Sequence, residues 1–291
     1  MDKTVVLILL ICVLIIVIIF RRQSGYSDTT KEIPKIIWTY WNEETIPPFI
    51  NKCINNFRRF NPDWDVRIAN INDVPEDLRS LLPQYQSDWV RLNKLREHGG
   101  VWLDASIILT ESLDWIRERQ QLNQTEGLMF YSVRHTVDKN FPVVENWCIA
   151  AVPNSETIKK WFEEYDYARR KHGNNGIAYI EELETRFGKP MKNKLMANID
   201  WPDYLIAYIC HQKVLQVDNL SYKLFSWEVD DKGPYIYQYN SGWNSYKTIK
   251  KLTEGPAPYT PKIVKLIGAD RKFIHDDMKI HPESIFGKYL E

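Results

Sequence analysis

Past its first twenty residues, the chain alternates short apolar runs with stretches whose apolar residues recur every three or four positions. This is the pattern of strands interleaved with helices. Residues 35–40 (KIIWTY) read as a first strand, and Pro47-Pro48 open a helix over 49–60 that stops before Asn61-Pro62. Residues 64–69 (WDVRIA) alternate as a second strand, and 75–82 read as a short helix. Ser87 offers an N-cap hydroxyl to a helix over 88–97, which Gly99-Gly100 terminate. Residues 101–103, 107–109, 128–133 and 147–152 are strand-like, 155–171 and 176–187 helical, and 262–267 (KIVKLI) a late strand. There is no internal repeat, glycine-rich phosphate loop or long linker. The pattern predicts one α/β domain over 34–291.

The exception to the pattern is residues 5–20 (VVLILLICVLIIVIIF), sixteen apolar residues without a break. As a helix they would cover about 24 Å, short for a ~30 Å hydrocarbon core but within reach when flanking basic residues snorkel. The run meets Arg21-Arg22 with no small-residue cleavage site, so 1–22 reads as a single-pass membrane anchor and 23–33 as a short stalk. The cues for orientation disagree. Arg21, Arg22, Lys31 and Lys35 favour a cytoplasmic domain, whereas the sequons at Asn123 and Asn219 suit a lumenal one.

Composition removes several classes. Lys+Arg and Asp+Glu both number 38, so the net charge is zero and the electrostatic footprint of a nucleic-acid binder is missing. Charged residues at 26% and aromatics at 13% exclude a disordered chain. Cys12 lies in the apolar run, and Cys53, Cys148 and Cys210 are too scattered for a zinc or disulfide framework.

Candidate chemistry concentrates in residues 87–106 (SDWVRLNKLREHGGVWLDAS). On a helix Asp88 and Arg91 share a face, while the double glycine turns the chain into a strand ending at Asp104, where open α/β sheets bind ligands. Each feature alone has a plain reading, an ion pair worth under about 1 kcal/mol and a turn residue. Together they resemble the signature of glycosyltransferases with a DXD-containing sugar-binding region, and in particular the capsular polysaccharide synthesis proteins. Residues 33–41 (IPKIIWTYW) match that family's first strand, and Glu145-Asn146-Trp147-Cys148-Ile149-Ala150-Ala151 resembles a later block.

The resemblance implies a GT-A fold: a nucleotide-diphospho-sugar transferase sandwich with a mixed central sheet. It implies that Ile37 and Trp38 receive the nucleotide base, that Asp88 and Arg91 hold the donor's ribose, sugar and phosphate, and that Asp104 is the first acid of the DXD motif. Asp104 and Asp88 are then the expected catalytic residues. The second acidic position is Ser106, so the motif reads Asp-Ala-Ser, and the expected Mn²⁺ or Mg²⁺ would rest on Asp104 and Ser106 with help from the substrate phosphates. His275, Asp276, Asp277 and His281 are further candidate ligands, though as a group they also read as solvated tail residues. Trp201-Pro202-Asp203-Tyr204 and Trp243-Asn244 are candidates for an acceptor groove, with Asp200 and Asp203 as acceptor contacts.

The function implied is a membrane-anchored hexosyltransferase taking a nucleotide-sugar donor to a glycan or glycolipid acceptor, with retention of configuration. Ser106 keeps open a second reading, a catalytically impaired glycan-binding or scaffold protein of the same fold. A sugar-phosphate phosphotransferase has no distinctive residue here.

Overall fold

Trp38 and Trp102 sit on neighbouring strands and face the same way, and their neighbours Ile37 and Val101 face the other. That alternation, repeated along the sheet, gives the molecule two cores. The computed structural model describes residues 31–231 and 233–291. The expected anchor over 1–22 lies outside the described residues, as does most of the stalk. Among the described residues no helix is long and apolar enough to cross a membrane.

The central sheet is mixed, as expected. Its strands are β1 (Ile36–Tyr40), β2 (Asp65–Ala69), β3 (Gly100–Leu103), β5 (Gly127–Tyr131), β6 (Val144–Ala151) and β7 (Phe225–Val229), in the order β2-β1-β3-β6-β5-β7. β1 runs parallel to β2 and β3, β5 runs parallel to β7, and β6 alone is antiparallel to its neighbours. β4 (Ile107–Leu109) leaves this sheet and pairs antiparallel with β8 (Ile263–Lys265) in a separate ribbon. The late strand read from residues 262–267 is therefore real but shorter, and its partner lies outside the main sheet.

One face of the sheet is covered by α2 (Pro83–His98), α4 (Glu156–His172), α5 (Gly176–Phe187), α6 (Lys189–Met196) and α7 (Ile206–Gln216), which bury Trp89, Leu92, Trp161, Tyr165 and Ile209 against Trp102 and Ile149. The other face carries α1 (Pro48–Phe60) and α3 (Asp114–Asn123), with Ile54, Phe57 and Ile116 packed on Val101, Cys148 and Ala150. A third cluster joins α8 (Ser245–Thr253) and the short helical turn Ile285–Tyr289 to Cys53 and Ile108. Each large apolar side chain fully buried in this way contributes roughly 1.5–3 kcal/mol. Cys53, Cys148 and Cys210 are buried and free.

Local chemistry explains where the elements begin. Helix α2 starts at Pro83, so Ser87 lies inside the first turns and does not cap it; Leu82 holds the cap position without a side-chain bond. A proline at the first helical position brings a preset φ and lacks an N–H that would go unbonded, so no capping hydroxyl is needed. The short helix expected over 75–82 is instead a pair of 3₁₀ turns, Ile71–Asp73 and Glu76–Leu78, the first closed by a reciprocal cap between Asn70 and Asp73. Pro75 interrupts any longer helix there. The strand expected from 147 begins at Val144, bringing Glu145 and Asn146 into the sheet.

Gly99 ends α2 at φ +64°, and Gly100 enters β3 at φ +103°. A Cβ on Gly100 would lie 2.7 Å from the Ile36 carbonyl oxygen, and one on Gly99 2.7 Å from the Pro153 nitrogen. The pair thus lets α2 turn back on itself while β3 enters flush between β1 and β6. We expect Gly100→Ala to lose about 2 kcal/mol or more of stability, read as a lowered thermal unfolding midpoint. A midpoint equal to wild type would refute this packing account.

Candidate active site

The carboxyl ends of β1, β3, β5 and β7 and the start of β6 meet at one edge of the sheet. Because β3 runs back along α2 after the double-glycine turn, the first half of α2 lies over that same edge. A cavity of about 830 Å³ opens there. That volume is within the range of small-molecule sites.

Asp88, Arg91 and Asp104 line it together, as the sequence reading anticipated. Arg91 is buried; it bonds Asp88 through Nη1 and donates from Nη2 to Asp104 Oδ1 at 3.0 Å. Its guanidinium lies 4.9 Å over the Trp102 ring. Asp88 also accepts from Asn146 Nδ2 at 2.9 Å and from the Tyr165 hydroxyl at 3.3 Å. Asp104 takes a further bond from Trp102 Nε1 at 3.2 Å, and its Oδ2 accepts from Lys265 Nζ at 2.7 Å. Charges thus alternate Asp88–Arg91–Asp104–Lys265 across three elements. Burial opposes the ionised form of Asp104, but Lys265 and Arg91 outweigh it and hold this carboxyl down at about 2. At Asp88 burial dominates and raises the pKa in spite of Arg91.

Ile37 and Trp38 do not reach the cavity. β1 sends Ile37 into one core and Trp38 into the other, where the Trp38 indole N–H donates to the Gly99 carbonyl at 3.0 Å and the ring stacks on His98. The wall is formed by the strand's last residue, Tyr40, and by Trp41 and Asn42 just beyond it, and the buried Trp41 indole N–H has no partner.

Ser106 is also outside the cavity wall. It is buried, with its hydroxyl 3.5 Å from the Leu266 carbonyl and accepting from Arg271 Nη1 at 3.3 Å. His275, Asp276, Asp277 and His281 are exposed and line no part of the cavity. Among the described residues no three His, Cys, Asp or Glu side chains are grouped to hold a metal ion. The Asp104 oxygens face a guanidinium, an indole N–H and an ammonium, and the second position offers a hydroxyl beside a guanidinium. That donor set does not fit the Mn²⁺ or Mg²⁺ expected on Asp104 and Ser106, since a hard cation needs several free oxygens.

Trp201, Tyr204 and Trp243, the candidates for an acceptor groove, are exposed on the cavity wall. Trp201 and Trp243 both adopt left-handed backbone, φ +47° and +58°, which costs a bulky residue about 1–2 kcal/mol and is typical of functional positions. Asp203 and Asn244 fall outside the wall, the latter capping α8, and Asp200 pairs with Arg134.

Sequence reading missed Glu145, Tyr208, Asp230, Lys265 and Arg271, which all line the cavity. The available signals were an acid beginning an apolar run and a lysine inside one. Glu145 accepts from Trp147 Nε1 and the Tyr208 hydroxyl, each at 3.0 Å. Burial, with the Asp230 charge adding to it, pushes Glu145 up to about 7, and burial raises Asp230 to about 6.

Residues 17–179, more than half of the chain, match the family described as capsular polysaccharide synthesis protein. The chain belongs to that family. Among curated proteins, this family member is 24% identical over 161 residues to "Glycosyltransferase afumC" of Aspergillus fumigatus, covering 47% of this chain and 41% of that one. It is 27% identical over 157 residues to "O-glycosyltransferase braB" of Annulohypoxylon truncatum, covering 44% of this chain and 36% of that one. The matches therefore span less than half the length of either relative. A solved structure titled "PaToxG Glycosyltransferase" aligns over 94% of this chain and 96% of its own, at 15% identity and a TM-score of 0.37.

The two raised carboxyls make a pH prediction. Folded Glu145 and Asp230 keep their protons where the unfolded chain has lost them, so their stabilising contribution is full at acid pH and is lost as pH rises through about 6 and about 7. Glu145→Gln keeps an acceptor for Trp147 and Tyr208 but cannot ionise. We expect it to flatten the fall in thermal midpoint between about pH 5 and about pH 8. Parallel pH profiles for variant and wild type would count against the buried-carboxyl assignment.

Proposed function

We propose that this protein is a GT-A-type glycosyltransferase that moves a hexose from a nucleoside-diphosphate sugar to a hydroxyl of a glycan or glycolipid, with retention of configuration. The observation that carries the reading is the Asp88–Arg91–Asp104–Lys265 cluster at the strand ends, inside a cavity with an aromatic mouth. The family and the printed names of the two fungal relatives support the same reaction class.

Breaking the bond between the sugar's anomeric carbon and the diphosphate places negative charge on the leaving oxygen. Catalysis needs fixed positive charge there before the bond breaks. Arg91, Lys265 and Arg271 are the cavity-lining cations nearest Asp104 in this arrangement. Asp88 and Asp104 orient Arg91 and offer oxygens to donor hydroxyls. The unbonded Trp41 indole N–H, next to Tyr40, suits the nucleotide base, the role the family resemblance gives to Trp38. Trp201, Tyr204 and Trp243 offer apolar ring faces to the acceptor's pyranose. In a retaining transfer the departing phosphate oxygen takes the acceptor's proton on the same face, so no separate base is required. The apolar run at 5–20 would hold the domain beside membrane-borne acceptors.

The test is a transfer screen of the full-length chain in detergent, against a panel of nucleotide sugars and glycan acceptors. We expect transfer from one donor class, and Asp104→Asn to lower kcat by about a hundredfold or more. Trp201→Ala should raise KM for the acceptor and leave KM for the donor unchanged. Donor binding without turnover in the wild type would instead identify a glycan-binding relative of the same fold.

A further inference from the structure

The residues around Asp104 do more than lack metal ligands. They put cations where a divalent ion would be needed. Lys265 pairs with Ile107 across the β4–β8 ribbon and is buried at 7% exposure, and its ammonium is 2.7 Å from Asp104 Oδ2. A divalent ion on that oxygen would stand about 2.0–2.1 Å from it, where the ammonium's charge and hydrogens oppose it. At the second position of the Asp-Ala-Ser motif, Arg271 donates to the Ser106 hydroxyl at 3.3 Å. Lys265 and Arg271 both line the cavity.

Neither cation is placed by chance rotamers on a loose tail. The Lys265 backbone N–H donates to the Pro234 carbonyl at 2.9 Å, and its carbonyl accepts from Gln238 Nε2 at 2.6 Å. The same Gln238 amide donates to Asp270 Oδ2 at 2.9 Å, and Asp270 in turn accepts from the Ile267 N–H at 3.0 Å, fixing the turn Gly268–Arg271 from which Arg271 projects. Gln238 and Asp270 are buried, where such hydrogen bonds are electrostatically stronger than in water.

We propose that in this chain Lys265 and Arg271 take the place of the divalent ion, so that the diphosphate of the donor is bound and released without metal. The inference rests on the glycosyltransferase reading. In the free protein Asp104 neutralises Lys265. With donor present the ammonium bridges Asp104 and a phosphate oxygen, as a metal would, and Arg271 meets the other phosphate. During transfer the bond between the anomeric carbon and the phosphate oxygen breaks, and its electron pair stays on that oxygen. The acceptor oxygen forms the new bond to carbon and its proton passes to the departing phosphate.

The experiment is calorimetric titration of the full-length protein with UDP and GDP, in EDTA and in excess Mn²⁺. For the nucleotide that binds, we expect dissociation constants within about twofold of each other in the two buffers. Lys265→Met and Arg271→Gln should each weaken binding in EDTA by at least about tenfold, as expected when a charge-assisted contact to phosphate is lost. Lys265→Arg should bind more tightly than Lys265→Met. Binding that appears only with Mn²⁺, or an unchanged constant in the exposed and foldable Arg271→Gln, would overturn the metal-free site and leave the transferase reading standing. If neither UDP nor GDP binds in either buffer, the metal-free diphosphate site is overturned, and the transfer screen alone decides the transferase reading.

Discussion

Arg91 is the constraint around which the site is organised. A guanidinium that deep must be paired, and removing one partner of such a buried pair costs about 3–5 kcal/mol. Its two carboxylate partners come from different elements, Asp88 from the same helix and Asp104 from the strand beyond the glycine turn. Pairing therefore locks the angle between α2 and β3. Lys265 extends the lock to the ribbon through the other oxygen of Asp104. One alternating line of charge ties helix, sheet and ribbon together at the edge where a ligand would lie.

The rest of the cavity follows from the direction of the strands. Parallel β1 and β3 end on the same side, and antiparallel β6 begins there, so Tyr40, Asp104 and Glu145 converge from three separate segments. The electrostatics are uneven within this small space. Asp104 is kept ionised by its cations, whereas burial outweighs the other influences at Glu145 and Asp230 and raises them to about 7 and about 6. Arg91 and Lys265 therefore bracket the one carboxylate of the cavity that is held well below its ordinary range, and Arg134 and Arg271 line the same wall.

The clash between motif and site is instructive. In sequence, Asp-Ala-Ser looks like a metal motif with one ligand weakened. In three dimensions the change at Ser106 accompanies a buried lysine and an arginine brought in from the far end of the chain. A local pattern cannot register those neighbours, because they lie 161 and 165 residues away in sequence.

What the sequence determined by itself was local. The 3.6-residue and two-residue periodicities marked α1, α2, α4, α5 and the strands of the first half, because burial of one face leaves that signature in the residues themselves. Asp88, Arg91 and Asp104 were legible for a related reason: one helix turn and one glycine corner separate them, so their meeting needs no distant contact. The start of α2 was misread because a proline cap leaves no polar marker. The late helices α6 and α7 and strand β7 went unseen, and the ribbon pairing of β8 was not legible. Only tertiary structure decided that Trp38 turns into the core while Trp41 faces the cavity, that Glu145 lies beside Tyr208, and that Lys265 reaches Asp104. Those outcomes depend on register and on which strand lies next to which. Such choices are set by packing across the whole chain, which no local stretch of sequence contains.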